Sequence, residues 1–297
     1  MSLIILLICL IAERFLLDRQ QMRQPHWLDE YSYWFERQEL PAWMLNGYGG
    51  ILALLLPPLL AVALVQQLLD ESLFGIPGAL FAILVLLFSF GPLDLDDQIK
   101  QLQDAQNRQD ADRTRQIARE LLEDEPPPNE PGFSQALAEA VLVQANQRVF
   151  AVIFWFLLLG PIGAVLYRLS CSLPKLQTTT REIEFFVNSK QWLAMLDWIP
   201  ARLTAATYAI AGSFEDALYG WRNYHRQRFD EFDSSASGIL ICTGAGALRL
   251  TELIDNNADD ALIEGQQYLL KSAMGLVWRS LVVWLVLIAL FTLAGWI

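Results

Sequence analysis

The sequence predicts an all-α, polytopic membrane protein with four to five transmembrane helices and helical extramembrane segments. Hydrophobic residues make up 54% of the 297-residue chain and charged residues only 18%, too apolar a balance for an ordinary soluble chain. Four apolar stretches approach the roughly 20 residues that a helix needs to cross the hydrocarbon core. The polar remainder has helical periodicity and few β-branched alternations. The formal net charge of -12 is carried outside the apolar runs and argues against nucleic acid, which selects basic faces.

The N-terminal region, residues 1–47, opens with an apolar run over 1–17 that meets Glu13 and Arg14. It has no basic leader and no small-x-small cleavage site, so it is expected to be retained. Trp27, Tyr31, Tyr33, Trp34, Phe35 and Trp43 then mix with charges, as suits a helix lying in the headgroup layer. Residues 48–92 read as a transmembrane hairpin, with spans at 48–69 and 73–90 around Asp70 and Glu71. Residues 93–148 read as a polar helical linker containing the stiff Pro126-Pro127-Pro128 stretch, since proline fixes the backbone and removes donors. Ser134 is expected to cap a helix that runs from Gln135 directly into a third span at 149–169.

The largest polar piece, 170–275, is expected to form a helical extramembrane domain. Within it Ala201–Ala211 is apolar enough to dip into the membrane but too short to cross, and a helix starting near Arg202 and ending near Gly212 fits the punctuation. Gly238, Gly244 and Gly246 lie in a small-residue stretch that would let helices approach closely. They do not form a phosphate loop, because no Lys-Ser/Thr follows at the required spacing. A final span covers 276–297.

Few residues have the spacing that chemistry demands. Cys9, Cys171 and Cys242 are widely separated, which indicates neither a zinc site nor a disulfide framework. His26 and His225 have no partner at ligand spacing, and the acidic run beside the prolines reads as solvated surface rather than a metal site. No serine, cysteine or histidine arrangement for catalysis is recognisable, so no catalytic residue, metal or cofactor is assigned. What stands out is a polar set tied to the third span: Asn146, Arg148, Tyr167, Arg168, Asp197 and Arg202. Ionisable groups at membrane depth are costly and tend to be paired or functional. The bland alternative has Arg148 and Arg168 snorkelling to opposite headgroup layers, Asp197 capping a helix that starts at Pro200, and Arg202 meeting an exposed acid.

Three blocks carry a family resemblance: Val149-Phe-Ala-Val-Ile-Phe-Trp155, Leu159-Gly-Pro-Ile-Gly-Ala-Val-Leu-Tyr-Arg168 and Leu196-Asp-Trp-Ile-Pro-Ala-Arg-Leu-Thr-Ala205. Over about residues 93 to 250 the chain resembles the membrane superfamily that contains AmpE and the cobalamin-pathway synthase CobD/CbiB. The synthase pattern has a Glu-Asn-Thr-x-Asp box before the third span. This chain reads Val143-Gln-Ala-Asn-Gln147 there, and it has Cys171 and Pro174 where the synthases place Asn and Asp. Asn146-Gln147-Arg148 and Glu13-Arg14 are instead similar to the AmpE branch. That resemblance implies a bacterial inner-membrane regulator linked to induction of the AmpC β-lactamase and to cell-wall recycling. It would act on an anionic ligand such as a muropeptide, or on a recycling protein, with the lipid bilayer as its other partner. A divergent amide-forming synthase and a transporter are the alternative readings. Under the regulator reading the six polar residues are the candidate ligand-binding set, and a transporter would use Asn146, Arg148 and Asp197 along its pathway. Charge counting leaves the orientation open, because successive loops favour different sides.

Overall fold

A computed structural model describes residues 5–9, 26–38, 41, 47–70, 76–90, 95–127, 130–176, 183–227, 235–250 and 262–295. Among these residues the chain is 91% helical, with no strand. In order the helices are α1 (His26–Glu36), α2 (Gly47–Asp70), α3 (Ile76–Ser89), α4 (Leu95–Asn107), α5 (Ala111–Leu122), α6 (Glu130–Ala145), α7 (Ala151–Leu159), α8 (Pro161–Ser172), α9 (Ile183–Ala211), α10 (Phe214–Gln227), α11 (Ser235–Leu248) and α12 (Leu262–Leu293). A π-helical turn, Asn146–Phe150, joins α6 to α7.

Among the described residues three helices are long and apolar enough to cross a membrane: Gly47–Leu69, Gly132–Leu159 and Gly265–Leu293. The first agrees with the expected span. The stretch 149–169, expected as the third span, is not one continuous helix. It breaks at Gly160, whose φ of +66° lies in the left-handed region that favours glycine, and Pro161 then opens a new helix. Gly163 fits close against the Trp155 carbonyl, so α8 folds back against α7. The apolar helix extends in the other direction, through α6. Ser134 therefore lies inside a helix that begins at Glu130, not at its cap. The C-terminal helix likewise begins at Leu262, ahead of the expected 276, and α3 is a shorter apolar helix. Most of the 1–17 run and the hairpin turn from Glu71 onward lie outside the described residues, as do the side chains of Trp27, His26 and His225.

The chain divides into two compact units. One comprises 1–92, 151–197 and 291–297; the other comprises 93–150 and 198–290. In the first, Leu28 and Phe35 of α1, Ile51, Leu54 and Leu55 of α2, Val165 and Leu169 of α8, and Phe185 of α9 share one core. Pro57 and Pro58 sit inside α2. Pro58 has no N–H for the Leu54 carbonyl four residues back, and the Tyr31 hydroxyl donates to that carbonyl at 3.3 Å.

The second unit has its own core. Leu95, Ile99 and Leu102 form a stripe at helical spacing along α4, and they pack with Ile117 and Leu121 of α5, Leu137 and Val141 of α6, and Leu269 and Leu270 of α12. Asp110 caps α5 by accepting from the Arg113 amide. The small-residue stretch does bring helices close. A Cβ on Gly246 would overlap the Asp216 carbonyl, and one on Gly244 would meet Leu142 at 2.5 Å. Gly220 of α10 lies against the Cys242 carbonyl, and Gly212 lies 2.6 Å, measured from a built Cβ, from the Ala247 carbonyl; the sequence marked Gly212 only as a helix end and did not mark Gly220.

Candidate polar sites

The six sequence-flagged residues fall into two groups, one in each unit. Tyr167, Arg168 and Asp197 belong to the first unit; Asn146, Arg148 and Arg202 belong to the second.

In the first unit Asp197 is not a helix cap. It lies in the interior of α9, which runs unbroken through Pro200. Proline is tolerated there because the carbonyl it orphans, that of Leu196, accepts from the Trp155 indole at 3.3 Å, replacing the missing helical donor. Asp197 is 4% exposed and accepts from the Tyr167 hydroxyl at 2.5 Å, a short bond of the charge-assisted kind. Tyr167 itself is fully buried. One turn further along α8, the Ser170 hydroxyl accepts from the Trp192 indole at 3.0 Å and donates to the Leu166 carbonyl. Arg168 follows Tyr167 directly on α8 and is half-buried.

In the second unit, Asn146 and Arg148 lie on the π turn itself. Such turns are rare and recur at functional positions. In the helical turn just before it, the Leu142 carbonyl accepts from the buried Tyr208 hydroxyl at 2.8 Å. Asn146 is 1% exposed, and its Oδ1 accepts from the Thr204 hydroxyl at 3.0 Å. The Arg148 guanidinium donates to Gln144 at 3.0 Å and to Gln98 at 2.8 Å. Gln144 in turn donates to the Glu123 carboxylate at 2.8 Å. Arg148 is thereby held by amides in a continuous polar chain.

Arg202 differs again. Its guanidinium donates to the Trp198 carbonyl at 2.8 Å and stacks 3.9 Å from the centre of the Trp198 ring, a cation–π arrangement.

Sequence reading missed Trp155, Thr204, Gln98 and Gln144. Amide and hydroxyl side chains carry no charge to mark them in an apolar run, and only the π turn and Pro200 explain why donors are needed there. A third polar cluster lies near the ends of α10 and α11, where Asp216 accepts from the Ser213 hydroxyl and from Arg249 at 2.7 Å. The Ser213 hydrogen bond, then that of Arg249, holds the Asp216 carboxyl below its usual range. Among the described residues no group of three or more His, Cys, Asp or Glu side chains could hold a metal.

Among known proteins, the whole chain, residues 1–297, matches the family model described as regulatory signalling modulator protein AmpE. The chain is 32% identical over 235 residues to the cobalamin biosynthesis protein CobD of Stutzerimonas stutzeri (strain A1501), covering 74% of each protein. It is 39% identical over 122 residues to the cobalamin biosynthesis protein CobD of Chromobacterium violaceum, covering 40% of this chain and 38% of that one. No solved structure matches.

Proposed function

Because the chain belongs to the AmpE family, we propose that it is a multi-pass regulator of the bacterial inner membrane that modulates β-lactamase induction within cell-wall recycling. The match of the whole chain to a family of signalling modulators is the observation that carries this reading. It acts by binding an anionic ligand such as a muropeptide, or an acidic face of a recycling protein, and not by turning over a substrate.

Arg168 is the binding group. Its guanidinium makes no hydrogen bond or ion pair among the described residues, whereas Arg148 and Arg202 donate to groups of their own unit. A half-buried guanidinium presents paired donors suited to a carboxylate or phosphate. Tyr167 and Asp197 position the α8 turn that bears it. In the other unit Asn146 and Arg148 form the second candidate group, with the π turn as its frame, and Arg202, folded on Trp198, stands apart from it.

Expression of Arg168→Ala in a host lacking its own copy tests this. Loss of one charge-assisted contact of about 1.5–3 kcal/mol weakens binding roughly tenfold or more. Altered β-lactamase induction is therefore expected at unchanged membrane abundance, with Arg168→Lys in between. Normal induction by Arg168→Ala would overturn the assignment, as would the disappearance of both variants from the membrane.

The cobalamin-type synthase is the second reading, favoured by the two relatives named for cobalamin biosynthesis. Against it stands the sequence before α7, where Val143 to Gln147 contains no carboxylate and the amides Gln144 and Asn146 serve Arg148 and Thr204. Incubating the purified protein with a corrinoid acid, an amino alcohol and ATP is expected to give no amide product. Turnover there would make the protein an enzyme.

A further inference from the structure

Over Gln191–Ala211, α9 has an inverted surface. Every residue exposed in that stretch is apolar: Met195, Trp198, Ile199, Leu203, Ala206 and Ile210. Its polar residues point the other way. Asp197, Thr204, Thr207 and Tyr208 are each 4% exposed or less, and each is hydrogen-bonded inside the protein. A helix on the surface of a water-soluble domain has the opposite arrangement, with its apolar stripe inward.

Polar groups turned to the protein interior and apolar groups turned outward are the arrangement of a helix bathed in lipid, where an unpaired polar group has no water to satisfy it. The length agrees as well. At 1.5 Å per residue the 21 positions 191–211 rise about 31 Å, close to the roughly 30 Å of the hydrocarbon core. The pattern begins where the exposed polar residues stop: Glu184 and Lys190, on the earlier part of the same helix, are exposed.

One charge interrupts the stretch. Arg202 is half-exposed, and its guanidinium is folded back on α9, bonded to the Trp198 carbonyl and stacked on the Trp198 ring. That satisfies donors locally, as a cation beside acyl chains requires. Gln191, Asp197 and Arg202 lower the average hydropathy of the segment, which is why the linear sequence does not mark it as a span. An average along the chain does not distinguish the two faces of a helix.

We infer that Gln191–Ala211 of α9 is a further membrane-embedded helix whose outer face contacts lipid acyl chains. The segment expected from sequence to belong to an extramembrane domain thus has its central part in the bilayer.

Site-directed spin labelling of the full chain in phosphatidylethanolamine/phosphatidylglycerol vesicles tests this. With Cys9, Cys171 and Cys242 replaced by alanine, single nitroxides are placed at Met195, Ile199, Leu203 and Ile210. A control at Leu60, 63% exposed on α2, reports an ordinary span, and one at Ile183, 82% exposed at the start of α9, reports water. Circular dichroism selects labelled variants that keep the native helix content, and with four positions one failure leaves the others readable. The expected result is high collision with oxygen and low collision with nickel chelate at all four sites, as at Leu60. Nickel accessibility like that of Ile183 would overturn the inference while leaving α2 in the membrane. Protection from both reagents with dipolar broadening between labels would overturn it in favour of a contact between copies of the chain.

Discussion

The Leu142 carbonyl, in the helical turn just before the π turn, is paired with the Tyr208 hydroxyl, and the Leu196 carbonyl, orphaned by Pro200, is paired with the Trp155 indole. A buried carbonyl without a donor costs about 1–3 kcal/mol, so each aromatic donor makes an irregular helix tolerable. Tyr208→Phe keeps the ring, which lies 6.3 Å from that of Phe150, and removes only the donor. It should destabilise the protein by about 1–3 kcal/mol and speed amide exchange in the π turn more than in α5. Denaturation in detergent and hydrogen exchange read the two effects, and unchanged exchange at residues 146–150 would show that the hydroxyl does not hold the turn. At this scale the sequence was partly legible. Asn146, Arg148, Tyr167 and Asp197 stood out because polar groups beside apolar runs are rare. Their partners were hidden, since Thr204, Gln98 and Gln144 lie far away in the chain and carry no charge. The bland alternative for Asp197, a helix cap, came from Asp followed by Pro three residues later, which is how a helix commonly starts. Only the indole of Trp155, 41 residues away, allows the helix to continue.

Between elements, the packing of α10 on α11 depends on glycines that place backbone against backbone. An alanine Cβ at Gly220 would overlap the Cys242 carbonyl, and backbone cannot swing aside as a long side chain can. Gly220→Ala should therefore cost about 1–3 kcal/mol, in the range of overpacked cores. Gly275 of α12 supplies the comparison, because nothing lies within 4 Å of an added Cβ. There alanine should be neutral or stabilise by up to about 1 kcal/mol through its higher helix propensity. Thermal melting of both variants in one detergent separates the two, and equal melting points would show that α10 and α11 are not held at backbone contact. The glycine stretch of α11 was recognisable from its composition. The close contact at Gly220 was not, because a single glycine in an otherwise ordinary helix looks the same whether it faces a neighbour or open space. Helix ends were the least legible feature. α6, α9 and α12 all begin earlier than their punctuation suggested, since tertiary contacts extend helices past Ser134, Asp197 and the polar turns before 276.

For the molecule as a whole, the all-α class was legible because long apolar runs and helical periodicity admit little else, whereas the face each helix turns outward depends on packing that no linear pattern contains. The net charge of -12 concentrates outside the apolar helices, so acid should act on the polar segments first. Asp216 has its folded-state pKa lowered by Ser213 and then Arg249, and Glu125 has its own lowered chiefly by Arg119. A depressed carboxyl contributes stability that is fully present above its unfolded value, near 4, and that is lost as pH falls through its lower folded value. Stability should thus be flat from pH 7 to about 5 and fall below that. Both pairs are solvent-exposed, which keeps each effect small, but the Asp216 cluster ties α10 to the end of α11 and can be isolated. Asp216→Asn preserves the shape and removes the titrating group. The variant should be less stable than the parent at pH 7, and the difference should shrink toward pH 3 as the parent loses what the variant never had. Urea titrations across that range in one detergent and at constant salt give the two curves. A gap that stays constant with pH would mean that Asp216 acts through its hydrogen-bonding shape alone, and that its charge contributes nothing to holding Ser213 and Arg249 in place.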